Sequence, residues 1–240
     1  MSRSGKIASV VVFDLDDTLY LERNYAESGF RSVAQWAKGN LGIEGLFDVA
    51  WAQFLYGDRS RIFDAVLQSY GLEPDPEVIT AMVSAYRNHL PDIALEPDVL
   101  AWLAAAPSEL GLAIITDGFR EAQERKVAAL GLTALGFDPI FVTDIWGREC
   151  WKPHERAYLA VHEHFGLSPQ DYAYVADNPL KDFVTPNALG WQTIQILRPE
   201  RVHQFDSPRI CYSAAGQIAD FAELSAALGQ LGHVPGRIDK

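Results

Sequence analysis

The sequence predicts an α/β protein, a doubly wound parallel sheet interrupted near its start by an inserted all-helical domain. Three observations carry that prediction. Val10-Val11-Val12-Phe13, Leu112-Ala113-Ile114-Ile115 and Tyr172-Ala173-Tyr174-Val175-Ala176 are unbroken apolar runs of strand-favouring residues. Such runs suit strands buried on both faces of a sheet. Helical patterns lie between the later runs, and strands alternating with helices argue for βαβ units. From about Asn24 to Pro91 there is no convincing strand, and apolar residues recur at helical spacing.

The elements follow in order. Arg3 and Lys6 precede the run Ile7 to Phe13, which loosely resembles a signal peptide. Its apolar character stops at Asp14, acidic positions follow at once, and no small-residue cleavage site appears, so it reads as a buried strand. No other apolar stretch approaches the roughly 20 residues of a membrane span. In the insertion, Phe30, Val33, Ala34, Ala37 and Leu41 mark one helix, and Leu46, Val49, Ala50 and Phe54 a second. Phe63, Val66, Leu67 and Tyr70 mark a third before Gly71. Val78, Met82, Ala85 and Tyr86 mark a fourth after the turn Glu73-Pro74-Asp75-Pro76. The chain thus divides into a core of residues 1–22 and 92–240 and a helical insertion of residues 23–91. In the core, Ala122, Lys126, Val127 and Leu130 predict a helix ended by Gly131 at its C′ position. Ile140-Phe141-Val142 and Gln192-Thr193-Ile194-Gln195-Ile196 are weaker strands. Pro153 is expected to open a helix, where its missing N–H costs nothing. Ala157 to Phe165 continue that helix and Gly166 ends it. Gly232 to Lys240 reads as a frayed terminus.

Composition narrows the function. The chain has 240 residues, 48% hydrophobic and 22% charged, which is globular rather than disordered. Its formal net charge of -12 disfavours nucleic acids and anionic lipid surfaces as partners. A phosphate-bearing small molecule stays compatible, because a metal ion can reverse the local sign. Cys150 and Cys211 are too few and too distant for a disulfide framework or a zinc site, so a reduced, cytoplasmic compartment is expected.

Chemistry concentrates where the first strand ends. Asp14, Asp16 and Asp17 place three carboxylates within four positions, in Asp-Leu-Asp-Asp-Thr-Leu. In open α/β sheets, ligands bind beyond the carboxyl ends of strands. Close carboxylates repel and tend to hold a proton, and a hard divalent cation removes that conflict. Oxygen ligands suit magnesium. The competing reading of a lone Asp-x-Asp is an acidic turn or helix cap.

The run Phe13-Asp14-Leu15-Asp16-Asp17-Thr18-Leu19 resembles the first motif of the haloacid dehalogenase-like superfamily. Ile114-Ile115-Thr116-Asp117-Gly118 looks like its second motif, Lys152-Pro153 like its third, and Val175 to Asp182 like its fourth. The resemblance covers roughly residues 7–197. It implies that Asp14 is the nucleophile and Asp16 the general acid/base. It implies that Thr116, the backbone N–H of Asp117 and Lys152 bind the transferring group. Asp14, Asp177 and the backbone carbonyl of Asp16 would hold Mg2+, with Asp182 supporting Lys152 or a metal-bound water. The helical insertion would be the cap, with Glu22, Arg23, Asn24, Tyr25 and Phe30 near its start as candidates for substrate contact. Two departures stand out: Ala176 replaces the usual Gly of the fourth motif, and His154 follows Lys-Pro in the third.

The implied activity is Mg2+-dependent hydrolysis of a phosphate monoester of a small metabolite, by a monomer or homodimer. In the dehalogenase branch no Asp lies two residues after the nucleophile, because halide leaves without a proton. Asp16 therefore favours a phosphate ester. A phosphomutase would use the same motifs. A catalytically silent binding module is expected to have lost a nucleophile, acid or metal ligand, and Asp14, Asp16, Lys152 and Asp177 are all present. Trp146 and Trp151 read as core packing, Cys150 as a small core residue, and residues 200–240 carry no legible motif.

Overall fold

The computed structural model describes residues 8–231. The start of the signal-like segment at Arg3 to Ile7 and the frayed-terminus reading of Gly232 to Lys240 lie outside them. The chain forms two compact units, the described parts of Met1–Glu22 and Ala94–Lys240, and Arg23–Ile93.

The first unit is built on six parallel strands. They are β1 (Val10–Phe13), β2 (Gly111–Thr116), β3 (Phe137–Val142), β4 (Tyr172–Ala176), β5 (Gln192–Ile196) and β6 (Gly216–Ile218). Their spatial order is β3-β2-β1-β4-β5-β6. The chain steps outward from β1 to β3, then returns to the other side of β1 and steps outward again. This reversal leaves a crevice beyond the carboxyl ends of β1 and β4, the usual ligand position in such sheets.

The apolar runs are continuous because both faces of β1 are covered. Val10 and Val12 pack with Tyr172 and Tyr174 of β4 and with Ala157, Tyr158 and Val161. The last three belong to a helix on that face, Arg156–Phe165. Phe13 points the other way, as alternation along a strand requires. Its ring lies 5.7 Å from Trp102 and 5.8 Å from Phe221. Trp102 belongs to a helix over Pro97–Ala105.

The second unit is all helical. It holds α2 (Leu46–Tyr56), α3 (Ile62–Ser69), α4 (Pro76–Arg87) and all but the first residue of α1 (Glu22–Leu41). Asp75 caps α4 by accepting from Glu77 N–H at 2.7 Å, and Pro76 occupies its first turn. The rings of Phe54, Phe63 and Tyr86 gather around Phe30 at 5.2 to 6.2 Å. Gly29 makes room for Tyr86, since a Cβ there would lie 2.5 Å from its ring.

The remaining helices of the first unit are α5 (Pro97–Ala105), α6 (Arg120–Ala129), α7 (Arg156–Phe165), α8 (Val184–Ala188) and α9 (Leu224–Leu231). Gly131 and Gly166 follow α6 and α7 with φ of 64° and 63°, as their expected roles at helix ends require. Pro153 does not open α7, which starts at Arg156. Residues 151–154 form a turn instead: His154 N–H donates to the Trp151 carbonyl at 2.9 Å, and the Pro153 carbonyl accepts from Thr185. Strand β6 was not expected. Its three residues carry no apolar run and gain their order by pairing with β5. No helix among the described residues is long and apolar enough to cross a membrane.

Candidate active site

Parallel register brings three polar residues to one edge of the sheet. Phe13 pairs with Ile114 on one side and Val175 on the other. Asp14 therefore leaves β1 beside Thr116 at the end of β2 and Asp177 just past β4. Asp14 N–H still donates to the Val175 carbonyl at 2.9 Å, which holds its Cα in the plane of the sheet. The next residues turn sharply. Asp17 adopts φ 53°, and its carboxylate accepts from Glu22 N–H at 2.9 Å and Val202 N–H at 2.6 Å. These two bonds stabilise a conformation that a non-glycine residue rarely takes.

The site is a cleft of about 340 Å³ in the first unit, lined by Asp14, Asp16, Asp177, Lys152, Lys181 and His203 among others. Lys152 is fully buried between two carboxylates, 2.7 Å from Asp14 Oδ1 and 2.7 Å from Asp182 Oδ1. It also donates to the Tyr174 hydroxyl at 3.3 Å. Burial alone would drive this ammonium to lose its proton, but Asp14 and Asp182 outweigh it and hold its pKa well above the ordinary value. Asp117 anchors the same loop. Its Oδ1 accepts from Thr143 Oγ1 at 2.7 Å and from Lys152 N–H at 3.0 Å. Burial pushes its carboxyl up, yet Lys152, Lys181 and these bonds outweigh that and keep it below the ordinary value.

Asp14, Asp177 and Asp182 present carboxylate oxygens that all lie within 4.8 Å of one another, and all three are buried. Burial, opposed by Lys152, leaves Asp14 with a pKa of about 6. Burial followed by the charges of Asp182 and Asp14 raises Asp177 well above the ordinary value. Asp177 Oδ2 is buried with no hydrogen-bond partner among the described residues. Unpaired buried carboxylate oxygens are costly. Hard oxygen donors converging on one point, one of them unsatisfied, fit a divalent cation such as Mg2+.

Asp16 stands apart from that cluster. Its Oδ1 accepts from Lys126 Nζ at 2.7 Å and from the Tyr20 hydroxyl, and its Oδ2 from Gln123 Nε2 at 2.9 Å. The same Gln123 nitrogen lies 2.5 Å from Thr116 Oγ1 and 2.9 Å from the Asp117 carbonyl, so its two hydrogens are shared among three acceptors. Burial raises the Asp16 pKa, but Lys126 and these bonds outweigh it and hold the carboxyl below its ordinary value.

The structure thus gathers Asp14, Asp16, Asp117, Lys152 and Asp177 around one cleft, with Thr116 and Asp182 directly behind them. Sequence reasoning assigned no site role to Tyr20, Gln123, Lys126, Tyr174, Lys181 or His203. Gln123 and Lys126 share a face of α6 at a spacing of three, so polar residues on a buried stripe were the available signal. Trp151 departs from its core assignment: it lines the cleft and donates to Asp144 at 3.1 Å. Trp146 packs on Phe141 at 5.4 Å, as core packing requires. Of the residues near the start of the insertion, Glu22 lines the cleft. Phe30 and Tyr25 are buried, with Tyr25 against Tyr86 and His89.

The family model of haloacid dehalogenase-like hydrolases matches residues 8–185. The chain belongs to this family. A glyceraldehyde 3-phosphate phosphatase from Methanopyrus kandleri is 29% identical to this hydrolase over 198 residues, 78% of this chain and 83% of that one. An (S)-2-haloacid dehalogenase from Xanthobacter autotrophicus is 28% identical over 183 residues, covering 70% of this chain and 67% of its own. A magnesium-bound hydrolase of the family from Bacillus subtilis superposes with a TM-score of 0.66 at 18% identity, covering 93% of this chain and 99% of that one. That last likeness speaks to the fold.

The acidic cluster makes a prediction about stability. Asp14 and Asp17 have an ordinary pKa of 3.8, and burial pushes each up to about 6 in the folded chain. The folded state therefore binds their protons more tightly than the unfolded state. Stability falls as pH rises from 3.8 through about 6, and the full cost is present above that. A divalent ion offsets the share carried by Asp14 by binding its ionised form, while Asp17, held by backbone N–H groups, lies outside the ion's cluster. The rise in Tm produced by Mg2+ is thus expected to be larger at pH 7.5 than at pH 5, and calorimetry at both values checks it. Equal shifts at the two pH values would contradict the assignment.

Proposed function

We propose that this hydrolase is a phosphatase that cleaves the phosphate monoester of a small metabolite through an aspartyl-phosphate on Asp14. The observation that carries the reading is a second carboxylate, Asp16, placed in the same cleft and fixed on both oxygens by Lys126, Tyr20 and Gln123. A departing alkoxide needs a proton and a departing halide does not, so a built acid/base suits an ester. The phosphatase named for the Methanopyrus kandleri relative points to the same chemistry.

Each step follows from the groups present. An Asp14 oxygen attacks phosphorus and the bond to the leaving oxygen breaks; Asp16, which Lys126 favours in its ionised form, must take up a proton as substrate binds and passes it to that oxygen. Water then attacks the aspartyl-phosphate. Asp16, now ionised and suited to that form by Lys126, takes the water's proton, and phosphate departs. Asp16 ends protonated, as it was before the first transfer. Lys152 holds Asp14 in position by its ion pair, and the Thr116 hydroxyl and Asp117 N–H are suited to the equatorial oxygens. Asp14 and Asp177, with the Asp16 carbonyl, would hold Mg2+, and Asp182 lies close enough to join them. When bound, that ion supplies the charge that lets an anionic nucleophile approach an anionic ester.

The test is a screen of phosphorylated metabolites, including glyceraldehyde 3-phosphate and phosphoserine, with Mg2+ and with a chelator. Chloride release from a 2-haloacid is measured in parallel. Phosphate release that requires the ion supports the reading, and chloride release without phosphate release overturns it. Asp16→Asn is expected to lower kcat/KM for an alkyl phosphate by about 10²–10⁴, the usual share of general acid/base catalysis. Acetyl phosphate, whose leaving group needs no proton, is expected to lose less, and steady-state kinetics on both esters reads the difference.

A further inference from the structure

A lysine ammonium has three hydrogens to give. Those of Lys152 are matched inside the protein by Asp14 Oδ1 at 2.7 Å, Asp182 Oδ1 at 2.7 Å and the Tyr174 hydroxyl at 3.3 Å. Its side chain has no exposed surface. Lys152 thus divides its charge between two carboxylates and leaves little of it to offset an incoming anion.

Lys181 is the opposite case. Its ammonium lines the same cleft, and its side chain is 31% exposed. Among the described residues its ion-pair partner is Asp117 Oδ2, at a loose 3.4 Å. Asp117 itself is already held on its other oxygen by Thr143 and the Lys152 N–H. Lys181 therefore has hydrogens to spare and faces the space beside Asp14. Burial and Lys152 oppose its charge, but Asp14, Asp182 and Asp117 outweigh them and raise its pKa. An acidic cleft that must accept an anion needs a cation with free donors, and Lys181 meets that need.

We propose that Lys181 is a second cation that grips the phosphoryl group of the substrate from the open side of the cleft, beside the buried Lys152 that holds the nucleophile. The two ammonium groups differ in setting, one saturated and buried and the other unsaturated and accessible. Lysine suits the second task because its flexible stem lets a point charge follow the phosphoryl group as geometry changes. The proposal rests on the phosphatase reading for its substrate, but the anion site can be measured without turnover.

The experiment is titration calorimetry of inorganic phosphate into the Mg2+-loaded wild type, Lys181→Gln and Lys181→Arg, with steady-state kinetics on the best ester. Lys181→Gln is expected to weaken phosphate binding about tenfold or more, the effect of one lost charge-assisted bond. Its KM should rise by a larger factor than its kcat falls, and Lys181→Arg should recover most of the affinity. A role confined to bracing Asp117 would lower Tm and leave phosphate affinity unchanged, which overturns the proposal. A wild type that binds phosphate through Lys181 yet hydrolyses no ester sinks the phosphatase reading and keeps the anion site. Turnover with unaltered phosphate binding in Lys181→Gln does the reverse.

Discussion

Asp14→Asn is expected to reduce phosphate release to the level of the buffer blank, a loss of about 10⁴-fold or more, as when a covalent nucleophile is removed. The amide keeps the shape of the carboxylate but has no anionic oxygen to attack phosphorus. The same change should not unfold the protein. Asp14 is buried, and that burial raises its pKa despite Lys152 at 2.7 Å. A neutral amide removes an ionised group whose desolvation is costly. The expected pair of results is therefore no turnover with a Tm near or above the wild-type value measured without added Mg2+. Mg2+ should then raise the Tm of Asp14→Asn less than that of the wild type, because one carboxylate of the cluster is gone. Near-normal turnover by Asp14→Asn would remove the nucleophile assignment. A collapse in Tm would mean that Asp14 is chiefly the counter-charge for Lys152.

The legible parts of the molecule are those in which one local pattern suffices. Strands β1, β2 and β4 lie in the middle of the sheet, so both faces demand apolar residues and the runs are unbroken. Strand β3 is an edge, where Asp138 and Pro139 are tolerated, and its apolar signal narrows to Ile140–Val142. Strand β6 is the opposite edge and is held by its pairing with β5 rather than by its composition. The site divides the same way. Asp14, Thr116 and Asp177 sit where legible strands end, so finding the strands finds them. Lys126 and Gln123 reach Asp16 across 110 and 107 residues of chain. His203 enters the cleft beside a segment fixed when Val202 N–H bonds to Asp17, 185 residues away. Such contacts depend on how helices and loops return to the sheet, and no local periodicity encodes that return.

The second large effect is expected at Lys152, and it should strike stability as well as turnover. Lys152→Met leaves Asp14 and Asp182 buried without the ammonium that each meets at 2.7 Å. Removing one partner of a buried ion pair typically costs about 3–5 kcal/mol, because the remaining charge stays desolvated. Urea unfolding at pH 7.5 without Mg2+ should show a loss of that size. The loss should shrink as pH is lowered through about 6 and Asp14 takes up its proton. Adding Asp182→Asn to Lys152→Met should recover part of the stability, because one unpaired charge is removed. It should recover none of the turnover, since Asp14 would still lack the cation that fixes its position. That non-additive pattern is what two carboxylates sharing one lysine require. Additive losses would mean that Lys152 acts on Asp14 and Asp182 independently, and that the buried triad is not a single electrostatic unit.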